Sequence, residues 1–363
     1  MNVYEKIGLP KVINCSGKMT KLGVSTLSES VKEAISNAGS HYVVIDDLLD
    51  TVGNEIAKII HCEDICVTAS ASSGIVIAVA ATITGDHLSL IESMPNHNQK
   101  KKEVILQKGH AVNYGAPMET MINIGGGTPV LVGQSNKVER EHIEQAITED
   151  TCALLYVKSH HAVQKGMQSI ETMIDIARNH KIPLIVDAAA EEDLEKYYNM
   201  GADLVIYSGA KALAGPASGF IAGRQSLIKS CKKQYKGIGR AMKVGKENMM
   251  GLYQAILDYQ EKNSTKDHQM YCVETMMKEL NDIEGINIKL VQDEAGREIF
   301  RAQLKIDEKI FNKNAYDLGD YLKQGNPSIY TREHYINLGI LNFDFRSVTT
   351  NELQQVIMKI KDF

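Results

Sequence analysis

No stretch of this sequence approaches the roughly twenty consecutive apolar residues that a membrane-spanning helix requires, and its opening Met1-Asn2-Val3-Tyr4-Glu5-Lys6 has no apolar signal core. A soluble, cytoplasmic protein with no membrane partner is expected. Positive charge is not in excess: 40 Lys and Arg against 45 Asp and Glu leave a net charge of −5, so no overall basic field exists to hold nucleic acid. Gln99-Lys100-Lys101-Lys102 then reads as a solvated loop. Cysteine is sparse and scattered (Cys15, Cys62, Cys66, Cys152, Cys231, Cys272), and a chain of 363 residues needs no disulfide staples, so reduced thiols are expected. Cys62 and Cys66 have the spacing of a metal pair, but no second pair accompanies them, and no metal is expected. Gly125-Gly126-Gly127 lacks the strand-to-helix setting of a dinucleotide site and has no Gly-Lys-Ser/Thr after it, which leaves a turn. Repeats and low-complexity tracts are also missing.

What is present is an alternation of strand-like and helix-like segments through the middle of the chain. Strands are predicted at Ile65–Thr68, Glu103–Leu106, Pro129–Val132, Cys152–Val157, Pro183–Asp187 and Asp203–Tyr207. Helices are predicted between them at Ser73–Thr84, Met118–Asn123, Arg140–Ile147, Ile170–His180 and Glu192–Asn199. That rhythm is α/β, with a mostly parallel central sheet. After about residue 245 it stops: Met250, Tyr253, Ile256 and Leu257 have helical spacing within Glu247–Lys262, and Ile286–Ile288, Arg301–Ile306 and a final helix Thr350–Lys361 suggest a smaller α+β domain. The expected division is a large domain over 46–245 and a smaller one built from 1–45 and 246–363.

Two of these segments carry a recognisable chemistry. Pro183-Leu184-Ile185-Val186-Asp187 ends a strand in a carboxylate, and Ser208-Gly209-Ala210-Lys211 follows the next strand with an amine. Pyridoxal 5′-phosphate needs such a pair: a lysine on a rigid perch to form a Schiff base, and a carboxylate to keep the ring nitrogen protonated so that the ring acts as an electron sink. A surface lysine and a capping aspartate are the ordinary readings of each residue alone, but their order, followed by Ala214-Gly215-Pro216-Ala217-Ser218-Gly219, favours the cofactor. Its phosphate requires a helix start with small residues, and Thr68-Ala69-Ser70-Ala71-Ser72-Ser73-Gly74 offers one, with Ser70, Ser72 and Ser73 as candidates and Ser208 near the lysine. His110, just after Glu103–Leu106, is placed to stack on the ring. His160 and His161 follow another strand, at the carboxyl edge where ligands collect, and are acid/base candidates rather than metal ligands. Arg346 ends Leu341-Asn342-Phe343-Asp344-Phe345, where a guanidinium fork could take a carboxylate.

Ser208 to Pro216, with Asp187 upstream and Arg240-Ala241-Met242-Lys243-Val244-Gly245-Lys246 downstream, resembles the bacterial selenocysteine synthase group of fold-type I pyridoxal-phosphate enzymes. The segments Lys108 to Pro117 and Lys158 to Met167 narrow the likeness to the aminosugar-acid ammonia-lyases of that group, and it runs from Ile13 to Arg346. The resemblance implies a fold-type I scaffold and pyridoxal 5′-phosphate on Lys211 with Asp187 as ring partner. It implies loss of water and then ammonia from D-glucosaminate 6-phosphate to give 2-keto-3-deoxy-6-phosphogluconate, with Lys211 as base and His160 or His161 as acid. Arg346 would hold the carboxylate, and Arg240, Lys243, Lys246 or Arg332 the distal phosphate. A homodimer or larger homo-oligomer is implied as well. Selenocysteine synthases carry a further N-terminal domain and act on charged tRNA, whereas this chain starts near the shared core and is acidic, so a tRNA partner is not expected. Another β-elimination or aldol cleavage on the same scaffold, a selenocysteine synthase-like transfer and a non-catalytic binding role remain the alternatives.

Overall fold

The computed structural model describes residues 2–159, 162–261, 264–293 and 297–363. Its strands are β1 (Val12–Cys15), β2 (Asp64–Thr68), β3 (Glu103–Gln107), β4 (Thr128–Val132), β5 (Thr151–Val157), β6 (Leu184–Asp187), β7 (Leu204–Ser208), β8 (Gly219–Gly223), β9 (Ile286–Gln292), β10 (Phe300–Ile306), β11 (Ser328–Thr331) and β12 (Ile340–Asp344). No helix among the described residues is long and apolar enough to cross a membrane.

The chain divides into two units, one from Leu27 to Glu261 and the other from the residues up to Thr26 together with those after Glu261. These limits differ from the expected 45 and 245, for a reason invisible in local pattern. The helix Glu29–Gly39 packs along the helix Lys246–Gln260. Asp258 accepts from the hydroxyls of Ser28 and Ser30 at 2.8 and 2.6 Å, and Gly251 lets Ile35 come so near that a Cβ there would lie 2.8 Å from its Cγ1. Both helices therefore belong to the larger unit.

The larger unit is built on a seven-stranded sheet in the order β2-β8-β7-β6-β5-β3-β4. The ladders β3/β4, β3/β5, β5/β6 and β6/β7 are parallel, and β8 runs antiparallel to both β7 and β2. Strand β8 escapes the strand-helix rhythm because it returns beside β7 without a crossover helix. The pleat sends alternate side chains to opposite faces: Leu184, Val186, Val205 and Tyr207 join one apolar cluster, Ile185, Leu204 and Ile206 the other. Asp187 shares a face with Ile185. That face is covered by the helix Ala71–Thr84, whose Ile75, Val76, Ile77, Ala78, Val79, Ala80 and Ala81 are all buried. An all-apolar helix can exist only inside a core.

Two glycines set how closely that helix approaches the sheet. A Cβ on Gly74 would lie 2.9 Å from Ile206 Cγ2, and one on Gly219, the first residue of β8, would lie 2.7 Å from Ser70 C, 2.8 Å from Ala71 N and 2.8 Å from Tyr207 O. The smaller unit pairs an antiparallel sheet, order β12-β10-β9, with the parallel pair β1-β11. Ile13, Leu304, Phe343, Leu353 and Val356 lie in its own core. That is the α+β character expected of it.

The neighbours of Gly219 are backbone atoms, which cannot swing aside. Gly219→Ala is therefore expected to cost about 1–3 kcal/mol through overpacking, seen as a lower urea midpoint. An unchanged midpoint would show that helix and sheet do not meet this closely.

Candidate active site

The carboxyl ends of the parallel strands form one edge, and the cross-strand register places the candidate residues along it. Thr68 pairs with Gly219 and Gly219 with Ser208, which aligns the ends of β2 and β7 with the start of β8. Asp187 pairs with Ile206 on one side and Val157 on the other. In open α/β sheets such an edge is where ligands bind.

Asp187 is 8% exposed, and its Oδ1 accepts the Ala189 amide at 3.1 Å. Burial raises its pKa, against the opposing pull of the Lys211 charge and the Ala189 amide. A carboxylate in this position needs a cation, and the Lys211 ammonium is near enough to act on it. Lys211 lies in the turn directly after β7, in a loop braced by its own backbone: the Gly209 amide donates to Ser218 O at 2.9 Å, the Gly215 amide to Gly209 O at 2.8 Å and the Ala214 amide to Lys211 O at 3.2 Å. This is the rigid perch that a covalently engaged lysine needs.

At the start of the Ala71–Thr84 helix, Ser70 and Ser73 form a reciprocal capping box: the Ser73 amide donates to Ser70 Oγ at 3.0 Å and the Ser70 amide to Ser73 Oγ at 2.9 Å. The ordinary capping role thus accounts for these two serines. Ala71 and Ser72 stand outside the box, so their amides are the donors that the first turn can turn toward an anion. A phosphate fits this turn because Gly219 leaves no Cβ beside it.

His110 is fully buried, its ring perpendicular to that of Tyr156 with centroids 4.5 Å apart. The Val157 amide donates to its Nδ1 at 3.2 Å, which places the proton of the neutral ring on Nε2. Nε2 is buried without a hydrogen bond; the Val163 backbone is close but not in bonding geometry. Burial pushes the His110 pKa down to about 4, the Lys158 charge adding to this and Val163 opposing it. His110 is therefore a neutral ring near pH 7, which does not suit acid catalysis, and its full burial leaves no open face for the stacking expected from sequence.

Tyr114 was not singled out by its sequence. Its Oη is closed off from solvent near the Ser72 hydroxyl; burial raises its pKa, Ser72 opposing this and the Asp187 charge adding to it.

The remaining candidates are distributed otherwise. His160 and His161 lie outside the described residues. In the larger unit, Arg240 and Lys243 are exposed, while Lys246 donates to the Ala38 carbonyl and pairs with Glu247 at 2.9 Å. Lys246 is thus engaged at the end of the Glu29–Gly39 helix. Arg346 and Arg332 belong to the smaller unit. The Arg346 fork is bidentate on Asp344, with Nε at 2.9 Å from Oδ1 and Nη2 at 2.9 Å from Oδ2, and Arg301 Nε reaches the same carboxylate at 3.3 Å. Burial lowers the Arg332 pKa and the charges of Arg301 and Arg346 act with it, against Asp344 and Asp293.

Residues 12–310 match the family model described as SelA: L-seryl-tRNA selenium transferase, which is well over half of the chain. The chain belongs to the L-seryl-tRNA selenium transferase family. Within reach of this family, D-glucosaminate-6-phosphate ammonia lyase of Salmonella typhimurium (strain 14028s / SGSC 2262) is 43% identical over 361 residues, covering 99% of this chain and 97% of that protein. The 5′-C-glycyluridine monooxygenase-decarboxylase of a Streptomyces species is 37% identical over 365 residues, covering 99% of this chain and 91% of that protein. A solved structure of D-glucosaminate-6-phosphate ammonia-lyase matches with a TM-score of 0.95 at 42% identity, covering 100% of this chain and 98% of that one. The fold is the fold-type I, aminotransferase-like α/β arrangement anticipated from sequence.

In this member of the selenium transferase family, the depressed pKa of His110 ties stability to pH. A buried neutral histidine binds fewer protons than the unfolded chain between its folded pKa of about 4 and its unfolded value of about 6.5, so stability falls as pH drops through that window. The contribution lost between pH 7 and 4.5 is about 2 kcal/mol. His110→Asn keeps an acceptor for the Val157 amide but cannot titrate, and its cofactor-free form should lose that much less over the same range in urea unfolding. Equal losses in both proteins would refute the buried neutral state.

Proposed function

We propose that this chain is a pyridoxal 5′-phosphate-dependent ammonia-lyase acting in the cytoplasm on D-glucosaminate 6-phosphate, giving 2-keto-3-deoxy-6-phosphogluconate and ammonia. The observation that carries this reading is the Asp187–Lys211 pair at one sheet edge, in a chain 43% identical over 99% of its length to a protein named for that reaction. When bound, pyridoxal phosphate supplies a protonated ring that accepts the electron pair left at the substrate α-carbon.

The chain's own residues would do the rest. Asp187 holds the proton on the ring nitrogen, which its burial beside a cation equips it to do. Lys211, freed when the substrate amine takes its place, accepts the α-proton at Nζ from its braced loop. The leaving 3-hydroxyl departs as water once protonated, the task assigned to His160 or His161. The enamine so released takes up a proton at C3, and one water hydrolyses the imine to the 2-keto-3-deoxy acid and ammonia, so a water lost is a water regained. The helix start at Ala71 and Ser72, with Ser208 near the lysine, would hold the cofactor phosphate, while His110, fully buried here, would have to be uncovered to stack on the ring. For the substrate's own anions, Arg332 and Arg346 differ. Arg346 would have to exchange Asp344 for a carboxylate, whereas Arg332 is a guanidinium whose pKa burial lowers. Arg240 and Lys243 are the other candidates for the distal phosphate, and Lys246 would first have to leave Glu247.

The 37% identity to a monooxygenase-decarboxylase supports a second reading, an oxygen-dependent decarboxylation of a nucleoside-bearing α-amino acid. The two separate in one experiment. Under anaerobic conditions the protein should release ammonia and 2-keto acid in equal amounts from D-glucosaminate 6-phosphate. The unphosphorylated acid should turn over with kcat/KM lower by on the order of ten- to a hundred-fold, the loss of a charged hydrogen bond, and Lys211→Ala should abolish release. Oxygen uptake with a glycyl nucleoside and no ammonia from the aminosugar acid would favour the second reading.

A homo-oligomer is part of the proposal. Tyr42, Val43, Val44 and Ile45 form an apolar run exposed at 105%, 45%, 63% and 43% respectively, a pattern that supports an interaction surface. Light scattering should give at least a dimer, and Val44→Lys should weaken it; a fully active monomer would reject it.

A further inference from the structure

The segment that follows Asp187 is acidic and faces outward, yet it is held from three sides. Glu192 and Asp193 are exposed, and Glu191 is partly so. Tyr197 Oη donates to Glu191 Oε2 at 2.5 Å, Tyr259 Oη to the Glu192 carbonyl at 2.8 Å and Tyr207 Oη to the Asp193 carbonyl at 3.3 Å. The three phenols come from three different elements: the short helix Lys196–Met200, the helix Lys246–Gln260 and β7. Burial raises the pKa of each, and the charges of this segment's own carboxylates add to that, so all three remain donors through the neutral range. Exposed connections are ordinarily the loosest parts of a fold. Tyrosine ties on successive residues are more than a solvated turn needs.

The inner end of the same segment bears on Asp187. The Ala188 amide donates to Ile206 O at 3.0 Å, the Ser208 amide to Ala189 O at 3.3 Å and the Glu191 amide to Ala188 O at 3.0 Å. Between these bonds, the Ala189 amide donates to Asp187 Oδ1 at 3.1 Å. That amide and the Lys211 charge are what oppose the effect of burial on the carboxylate. A backbone amide keeps its bond to a carboxylate only while its own peptide plane is fixed, and the tie from Tyr197 to Glu191 closes a chain of hydrogen bonds that starts at Asp187. Loosening the outer end lets the Ala189 peptide tilt, which leaves a buried carboxylate with one donor fewer.

We propose that Tyr197, Tyr207 and Tyr259 are positioning residues: by clamping Glu191, Glu192 and Asp193 they fix the Ala189 peptide and, through it, the carboxylate of Asp187 that serves the cofactor's ring nitrogen. This rests on the reading of Asp187 as the ring partner, and the test separates the two. Cofactor-free wild type, Tyr197→Phe and Glu191→Gln are titrated with pyridoxal 5′-phosphate and, separately, with its 1-deaza analogue, which has the same aldehyde and phosphate but carbon in place of the ring nitrogen. Wild type should bind pyridoxal 5′-phosphate more tightly than the analogue, because only the former offers Asp187 a proton. Tyr197→Phe should raise the Kd for pyridoxal 5′-phosphate on the order of ten-fold, the value of a hydrogen bond to a charged group, and leave the Kd for the analogue unchanged. Glu191→Gln keeps a carbonyl acceptor for the phenol and should match wild type with both ligands. If Tyr197→Phe does not fold, Tyr259→Phe, which loses a bond at the exposed side of the segment, takes its place in the same titrations. An unchanged Kd for pyridoxal 5′-phosphate, an equal loss for both ligands, or a loss in Glu191→Gln as large as that in the phenylalanine variant overturns the clamp while the reading of Asp187 stands. If wild type binds the two ligands equally tightly, Asp187 is not the ring partner and both fall.

Discussion

Asp187 is the point on which the rest of the larger unit turns. Its carboxylate ends a strand whose residues are all buried, on the face covered by an all-apolar helix, where water is not at hand to stabilise charge. Such a group either takes up a proton or is held beside a cation. The Lys211 charge opposes the effect of burial, and a protonated heterocycle would complete the compensation. The neighbouring features follow the same need: β7 must pair with β6 to bring the lysine's loop alongside, and β8 must return antiparallel so that Gly219, rather than a bulkier residue, faces the start of the helix.

The smaller unit uses charge differently. Asp344 is fully enclosed; burial alone would raise its carboxyl pKa, and the Arg346 and Arg301 guanidiniums overturn that and hold it below the usual range. Arg301 also reaches Asp293 at 3.1 Å, and Arg297 pairs with Asp293 at 2.9 Å. Gly17, at φ +81°, passes so close that a Cβ would lie 2.8 Å from Asp344 Oδ2. Carboxylates hold Arg297, Arg301 and Arg346 in place. A network of this kind favours fixed direction over net stability, since buried ion pairs return little beyond their desolvation.

Much of the larger unit was legible because its physics is local. Runs of buried apolar residues between turn signals reveal parallel strands, and a carboxylate or lysine at the end of such a run is conspicuous. Asp187, Lys211, the serine-rich turn at Ser70–Ser73 and His110 stand out as candidates in that way. Serines 70 and 73 looked alike with Ser72 in sequence, but the capping box separates them, and that depends on side-chain geometry. Lys246 and Arg346 looked like free cations and turned out to be engaged by Glu247 and Asp344.

By itself, the sequence determined the strand-helix rhythm, the chemical types at the strand ends and the absence of a membrane-length apolar run, because each depends on residues close together along the chain. Only the tertiary structure decided the rest. It put the Glu29–Gly39 helix with the larger unit, inserted β8 between β2 and β7, closed His110 Nε2 and Tyr114 Oη off from solvent, and set Arg346 on Asp344. Each of these joins residues through space, where packing, register and desolvation act and where order along the chain carries no record of which groups will meet.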